Sequence, residues 1–134
     1  MKIEQHEEAL REHLRHIDRA IDEGIIENQR SIGFNISQGS VELFTLFLHK
    51  LHLIEGSGDQ FDHRIFKNKG LINLKLSMSF PLKDKILSVM KDIELERISL
   101  CYGSRKPKSI IEKNIKNFQE LRRIINEELK NGTK

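Results

Sequence analysis

Apolar residues that recur every three or four positions are the feature of this sequence that most restricts its fold. In the first segment, one helix face collects Leu10, Leu14, Ile17, Ile21 and Ile25, and charged residues occupy the other faces. This spacing predicts an amphipathic helix from about Ile3 to Asp22. The last segment repeats the pattern with Ile111, Ile115, Phe118, Leu121, Ile125 and Leu129.

The segment after Gly24 is more apolar and should form the central helix. Its apolar residues at helical spacing are Ile32, Ile36, Leu43, Phe47, Leu51 and Ile54. Gly33 and Gly39 each disfavour a helix interior by about 1 kcal/mol relative to alanine. Either these glycines permit a close helix contact, or the helix begins nearer Ser40, and the sequence leaves both alternatives open.

The stretch "LINLKLSMSF", residues 71–80, alternates apolar and polar residues as a strand does. A lone strand among helices has no partner for its hydrogen bonds, so a short irregular helix is predicted instead. Pro81 suits the first turn of the next helix, which should run to about Cys101 and end where Gly103 can adopt a left-handed conformation.

Ser109 and Glu112 then have the spacing of a capping box that would open the last helix. The sequence therefore predicts one all-α domain over residues 1–134, an antiparallel bundle of four main helices plus a short additional helix. It contains no phosphate-binding glycine loop, paired-cysteine zinc motif or serine nucleophile elbow, which excludes several classes of enzyme.

The charge balance permits nucleic-acid binding without establishing it. The formal net charge is +3, but 20 acidic residues are mixed among the 23 Lys and Arg, so a solvated surface is the other interpretation. The single cysteine, Cys101, cannot form an internal disulfide, and no apolar run approaches the roughly 20 residues that span a bilayer. We therefore expect a cytoplasmic protein without a membrane segment.

One arginine interrupts an apolar helix face. The residues on that face are Ile86, Met90, Ile93, Arg97, Leu100 and Cys101. Burying an unpaired guanidinium costs several kcal/mol, so Arg97 must be paired, lie at a helix–helix seam, or line a cleft. Glu94, Glu96 or a glutamate of another helix could pair with it, or its head group could reach water.

Arg97 is followed after four residues by Tyr102 and Gly103, in "RISLCYG", before a basic turn and a long amphipathic helix. This arrangement resembles the HEPN family, small helical bundles related to the domains paired with minimal nucleotidyltransferases in prokaryotes. The resemblance implies a homodimer in a defence, stress or toxin–antitoxin system. Intact family members are metal-independent endoribonucleases, in which an arginine and a histidine of both chains line a cleft at the interface.

Two residues depart from the family pattern: Tyr102 stands in place of the histidine, and Ile98 in place of the polar residue after the arginine. Cleavage of RNA through its 2′-hydroxyl needs a base, and tyrosine, whose side chain ordinarily has a pKa of about 10, is a poor one. The resemblance therefore implies an RNA- or nucleotide-associated module, without a cofactor, in which catalysis stays an open question. Arg97 would bind phosphate and Tyr102 would position it, as the residues of a weakened catalytic site.

The basic turn contributes Arg105, Lys106 and Lys108, which would attract phosphate or stabilise the carboxyl end of the preceding helix. A first alternative function is a non-catalytic homodimeric interaction protein in which Arg97 pairs with a glutamate in the dimer seam. A second is a metal-binding bundle. Its candidate ligands are spaced or clustered histidines and aspartates: His13, His16, His49, His52, Asp59, Asp62 and His63.

Overall fold

A computed structural model describes residues 2–55 and 61–132, and these residues form helices joined by turns and short connections. Helix α1 spans Ile3–Glu23 and α2 spans Gln29–Lys50. A 3₁₀ helix at His63–Lys67 and the short α3 at Lys69–Lys75 follow. Helices α4, Lys83–Cys101, and α5, Lys108–Gly132, complete the chain. No strand occurs within the described residues, so the predicted all-α bundle with a short additional helix is confirmed.

Helix α2 is the centre of the bundle and packs against α1, α4 and α5. Its Phe44 is fully buried and meets the ring edge of Phe66, from the 3₁₀ helix, at a centroid distance of 5.4 Å. The Phe80 ring centre lies 5.7 Å from that of Phe44. Each such aromatic side chain contributes roughly 1.5–3 kcal/mol through removal of apolar surface from water. These contacts attach the irregular segment before α4 to the main core.

Both glycines of the central segment lie inside α2, which begins at Gln29 rather than near Ser40. A Cβ atom added at Gly33 would lie 2.8 Å from Leu100 Cβ and 3.3 Å from Cys101 Sγ. The first of these distances is shorter than van der Waals contact allows, so only glycine permits α2 and α4 to approach this closely. The close-contact alternative is therefore the correct one.

We expect Gly33→Ala to lower the free energy of unfolding by about 1–2 kcal/mol, because the overlap with Leu100 costs more than the gain of about 1 kcal/mol in helix propensity. Gly39→Ala is the matched control, since its added Cβ would lie 3.4 Å from His13 Cβ, an ordinary contact. Urea unfolding followed by circular dichroism should show Gly39→Ala as neutral or stabilising. Equal destabilisation by both changes would contradict the special role of Gly33.

Residues 71–80, predicted to form a short irregular helix rather than a strand, are helical as far as Lys75, within α3, and contain no strand. Asp62 caps the 3₁₀ helix by accepting a hydrogen bond from the Arg64 backbone N–H at 2.8 Å. Asn68 caps α3 by accepting from the Leu71 N–H at 3.0 Å. These two caps satisfy donors that helix starts otherwise leave unpaired.

Two of the predicted helix starts are wrong, and one predicted end is right. Helix α4 begins at Lys83, so Pro81 precedes the helix, and Leu82 adopts a left-handed φ of 54° between them. Helix α5 begins at Lys108, which places Ser109 inside its first turn instead of at the capping position. Gly103 has a φ of 105°, as expected for the residue after the end of α4.

A polar contact joins α4 to α5 within the otherwise apolar interface. The Asn114 side-chain amide donates to Glu96 Oε1 at 2.8 Å, and the Asn117 amide donates to Glu96 Oε2 at 2.6 Å. Burial raises the pKa of Glu96 above its ordinary value, and the two amide hydrogen bonds oppose that rise only partly. The charged form of this carboxylate is therefore penalised in the folded protein.

Because the folded pKa of Glu96 lies above the unfolded value of 4.5, folding takes up a proton in the interval between them. The stability that Glu96 contributes is present below pH 4.5 and is lost as the pH rises through the folded pKa. We expect Glu96→Gln, which stays neutral, to be more favourable relative to wild type at pH 7 than at pH 4. Urea unfolding at the two pH values measures this difference.

The buried Asn114 Oδ1 has no hydrogen-bond partner among the described residues, so its amide can rotate to accept a bond from the new glutamine. The exposed Glu112→Gln serves as the control and should show a smaller pH dependence. A Glu96→Gln variant whose stability relative to wild type is equal at the two pH values would refute the proposed proton uptake.

Candidate anion-binding site at the α2–α4 seam

Arg97 lies at the seam between α4 and α2 and is 8% exposed. It is buried because it shares the inward face of α4 with Ile93 and Leu100. Its Nη1 donates a hydrogen bond to the Ser37 hydroxyl at 3.3 Å, and its guanidinium carbon stands 5.1 Å from the centre of the Phe34 ring. A cation in this position over an aromatic ring is attracted by the ring's negative face.

No acidic side chain of residues 2–55 or 61–132 forms an ion pair with Arg97, and its buried Nε has no hydrogen-bond partner there. Pairing with Glu94 or Glu96, one of the alternatives that the sequence left open, does not occur, because each of these carboxylates binds other groups. A desolvated guanidinium with unused donors is costly on its own. It is also well suited to bind a phosphate or carboxylate oxygen.

The positive charges at this seam affect the pKa of the Cys101 thiol. Burial raises the pKa of Cys101, while Arg97 and, to a smaller extent, Arg30 act in the opposite direction. The Cys101 Sγ lies 3.6 Å from the Arg30 carbonyl oxygen. Since the chain has one cysteine, the reactivity of Cys101 reports directly on the charge beside it.

Tyr102, predicted to position the phosphate, follows the last residue of α4. Its side chain is 67% exposed and makes no hydrogen bond within the described part of the chain. The ring and hydroxyl are therefore accessible to solvent. Such an exposed ring can stack on a base.

The basic turn divides into one engaged and two unengaged side chains. Arg105 Nη1 donates to the backbone carbonyl oxygens of Ile26 at 2.6 Å and Glu27 at 3.4 Å, so it holds the α1–α2 connection against the turn. The ammonium groups of Lys106 and Lys108 have no partner among residues 2–55 and 61–132. Arg105 thus has a structural role that the sequence did not predict, and it keeps its positive charge beside the two lysines.

A histidine–carboxylate pair lies one helical turn before Arg97. Glu94 is 2% exposed, and its two carboxylate oxygens lie 2.6 and 2.9 Å from His63 Nδ1. The other ring nitrogen, Nε2, lies 3.9 Å from the partly exposed Asp62 carboxylate. A carboxylate held on Nδ1 fixes the orientation of the ring and leaves Nε2 available for proton exchange.

The sequence pattern indicated Glu94 only as a partner for Arg97 and His63 only as a metal ligand. The two residues are 31 positions apart and lie on different elements, so no local spacing indicates their contact. The only signal was an acidic residue on the apolar face of α4, which requires a buried partner somewhere.

The proposed metal ligands have other partners or lie apart. His13 Nδ1 is 2.9 Å from Asn35 Oδ1, whereas His16 lies on the exposed side of α1. His52 follows the end of α2 with a φ of 59°, so it does not share a helix face with His49. Asp59 lies outside the described residues, and the remainder contains no group of three or more His, Cys, Asp and Glu able to hold a metal ion.

A second buried histidine contact lies between α1 and α2. His6 is 2% exposed, and its Nδ1 lies 2.5 Å from Glu42 Oε2. The His6 ring centre is 5.8 Å from that of His49. Glu42 and His49 of α2 therefore face α1, and His6 contributes a buried polar group that no sequence pattern indicated.

Comparison of the chain with protein-family models, curated proteins and solved structures found no match in any of the three sets. Among the described residues, no helix has an apolar stretch of the length needed to cross a bilayer.

Proposed function

We propose that this protein is a HEPN-like RNA- or nucleotide-associated module of a prokaryotic defence or toxin–antitoxin type system, in which Arg97 binds a phosphate group. The observation that carries the proposal is a nearly buried guanidinium with no acidic partner among the described residues. A phosphate oxygen supplies the missing counter-charge and can accept from several guanidinium donors at once.

The surroundings of Arg97 support recognition more directly than catalysis. Phe34 and Ser37 hold the guanidinium in place, which lowers the entropy cost of binding an anion there. Arginine also stabilises negative charge that develops on phosphorus during cleavage. Proton transfer needs a further group. His63, which is bound to Glu94 one helical turn before Arg97, is a residue type better suited to proton transfer near neutral pH than tyrosine.

A homodimer is part of the proposal. Phe34, which covers Arg97, is 43% exposed, and Ile98, the next residue after Arg97, is 39% exposed. Leu95 and Tyr102 extend the outward face of α4 on either side of Ile98, with exposures of 46% and 67%. Packing of this face against a second copy would bury apolar surface and bring two Arg97 residues towards one cleft. The resemblance also implies a minimal nucleotidyltransferase as a partner protein.

The alternative is a non-catalytic helical interaction protein in which Arg97 is structural. The observation that favours it is the contact of the guanidinium with Phe34 and Ser37, which already satisfies part of its bonding capacity. In this case a glutamate of a second copy would pair with Arg97 in the dimer seam.

Replacing Arg97 with methionine distinguishes the two functions. Removal of an unpaired buried charge should leave the free energy of unfolding unchanged or raise it by about 1–2 kcal/mol, because an apolar side chain of similar volume fits the seam. Binding of a fluorescein-labelled single-stranded RNA, followed by anisotropy, should weaken at least tenfold. Arg122→Met is the matched control, since it removes an exposed arginine that also lies over a ring, that of Phe118 at 5.7 Å.

The structural alternative predicts the opposite pattern: Arg97→Met destabilises the fold or dissociates the dimer in sedimentation, and RNA binding does not change. Cys101 provides an independent measurement in the wild type. A phosphate bound at Arg97 screens its charge, so the pKa of Cys101 should rise further and alkylation by iodoacetamide should slow when RNA is added. No change in the alkylation rate at saturating RNA would place the binding elsewhere.

Catalysis is tested with Tyr102→His, which restores the residue type that the family motif contains. We expect this variant to cleave single-stranded RNA in the presence of a chelator at least tenfold faster than wild type, because histidine exchanges protons near neutral pH. Gel analysis of the products measures the rate, and Arg97→Met combined with Tyr102→His is the control. Inactivity of Tyr102→His alongside normal RNA binding would mean that the site binds RNA without an arrangement for cleavage.

A further inference from the structure

The basic excess of the chain is concentrated away from Arg97. Residues 61–91 contain seven Lys or Arg and two Asp, a formal net charge of +5, although the whole chain carries +3. All other residues together therefore carry a net charge of −2. A protein whose positive charge is gathered in one quarter of its sequence presents a directional field to anionic ligands.

Four of these seven basic residues line a cavity of about 550 Å³ that lies between the 3₁₀ helix and α3 on one side and the first half of α4 on the other. Its lysines are Lys67, Lys69, Lys83 and Lys91. Asp84 is the one acidic residue among the lining side chains. The positive charges of four lysines around one concave surface repel each other, and a bound anion reduces that repulsion.

Lys83 differs from the other three lysines because it is already engaged. Its Nζ donates to the backbone carbonyl oxygens of Leu76 at 2.7 Å and Met78 at 2.9 Å, which fixes a positive charge in the wall. Lys67, Lys69 and Lys91 are exposed and form no ion pair within residues 2–55 and 61–132. These three lysines are therefore free to reach a ligand, whereas Lys83 stabilises the backbone at Leu76 and Met78.

The rest of the lining also suits a phosphorylated ligand. Asn73 and Ser88 add neutral hydrogen-bonding groups, and the half-buried Ile72 and Leu87 provide apolar surface. A volume in this range accommodates a mononucleotide or a short length of nucleic-acid strand. The combination of ammonium groups with some apolar surface favours a ligand that carries both phosphate and a less polar portion.

We propose that this lysine-lined cavity is a second anion-binding site, which takes the phosphate groups of a nucleotide or of an RNA strand. Its lining shares no residue with the Arg97 site, so the proposal stands whether or not Arg97 binds phosphate. A neighbouring depression that includes Lys67 and Lys75 extends the basic surface along α3. Arg64 in that depression is neutralised by Asp62 at 2.7 Å and adds little attraction.

The test compares two triple variants that change the net charge equally. The first is Lys67→Gln, Lys69→Gln and Lys91→Gln, which removes the three free ammonium groups and spares Lys83. The control is Lys50→Gln, Lys113→Gln and Lys116→Gln. These three lysines are exposed, the first on α2 and the other two on α5. Circular dichroism establishes that both variants fold.

The probes are a fluorescein-labelled 12-nucleotide single-stranded RNA and a fluorescent ATP analogue, each titrated at several salt concentrations. We expect the cavity variant to bind at least one probe tenfold or more weakly than wild type, and the control to change by less than about threefold. For RNA, the slope of log affinity against log salt should also fall by about 2, since each lost phosphate contact on a single strand contributes about 0.7.

The titrations with RNA and with the ATP analogue distinguish the two sources of phosphate. Loss of ATP binding assigns the cavity to a free nucleotide, whereas loss confined to RNA assigns it to a strand, and both results support the proposal. Equal weakening by the two triple variants would overturn it, because affinity would then follow net charge alone. Absence of binding to both probes at 50 mM salt would overturn it as well. Arg97→Met, measured in parallel, shows separately whether the Arg97 site fails.

Discussion

The close approach of α2 to α4 at Gly33 is the contact on which the candidate site depends. Without a Cβ at this position, the backbone of α2 reaches Leu100 and Cys101, and the side chains between the two helices lose access to water. Arg97 is one turn from Leu100 on α4, so the same approach buries it beside Phe34 and Ser37 of α2. A larger spacing would leave a solvated arginine with ordinary surface chemistry. The glycine therefore determines the electrostatic character of a residue on the neighbouring helix.

The two proposed anion sites differ in physical type. Arg97 is a single desolvated cation with fixed orientation, so its interactions are short-range and little weakened by salt. The lysine cavity combines the engaged Lys83 with three exposed lysines, whose attraction acts over a longer distance and is screened by salt. The 3₁₀ helix connects them, because its His63 is bound to Glu94 of α4 while its Lys67 lines the cavity. If one ligand bound both sites, the lysine cavity would attract it and Arg97 would position it.

Helices α1 and α5 were predictable because each buries one face, and a period of 3.6 residues reveals that face without knowledge of its partner, whereas the central α2 is buried on most sides. The ends of α1 and α4 followed from the same pattern. The capping of α5 did not, because a serine and a glutamate at the correct spacing form a capping box only if the serine precedes the first turn, and Ser109 lies within it. The polar contacts were also unpredictable: His63 with Glu94 and Arg105 with the Ile26 carbonyl each join distant positions.

The sequence by itself determined that the chain is an all-α bundle and that Arg97 lies on an apolar helix face. Periodicity and residue chemistry are local properties, so they can be read along the chain. Only the tertiary structure decided that Arg97 has no acidic partner among the described residues, and that the free lysines around α3 converge on one cavity. Both results depend on distances between helices. Those distances arise from how side chains pack across the seams, which no single segment contains.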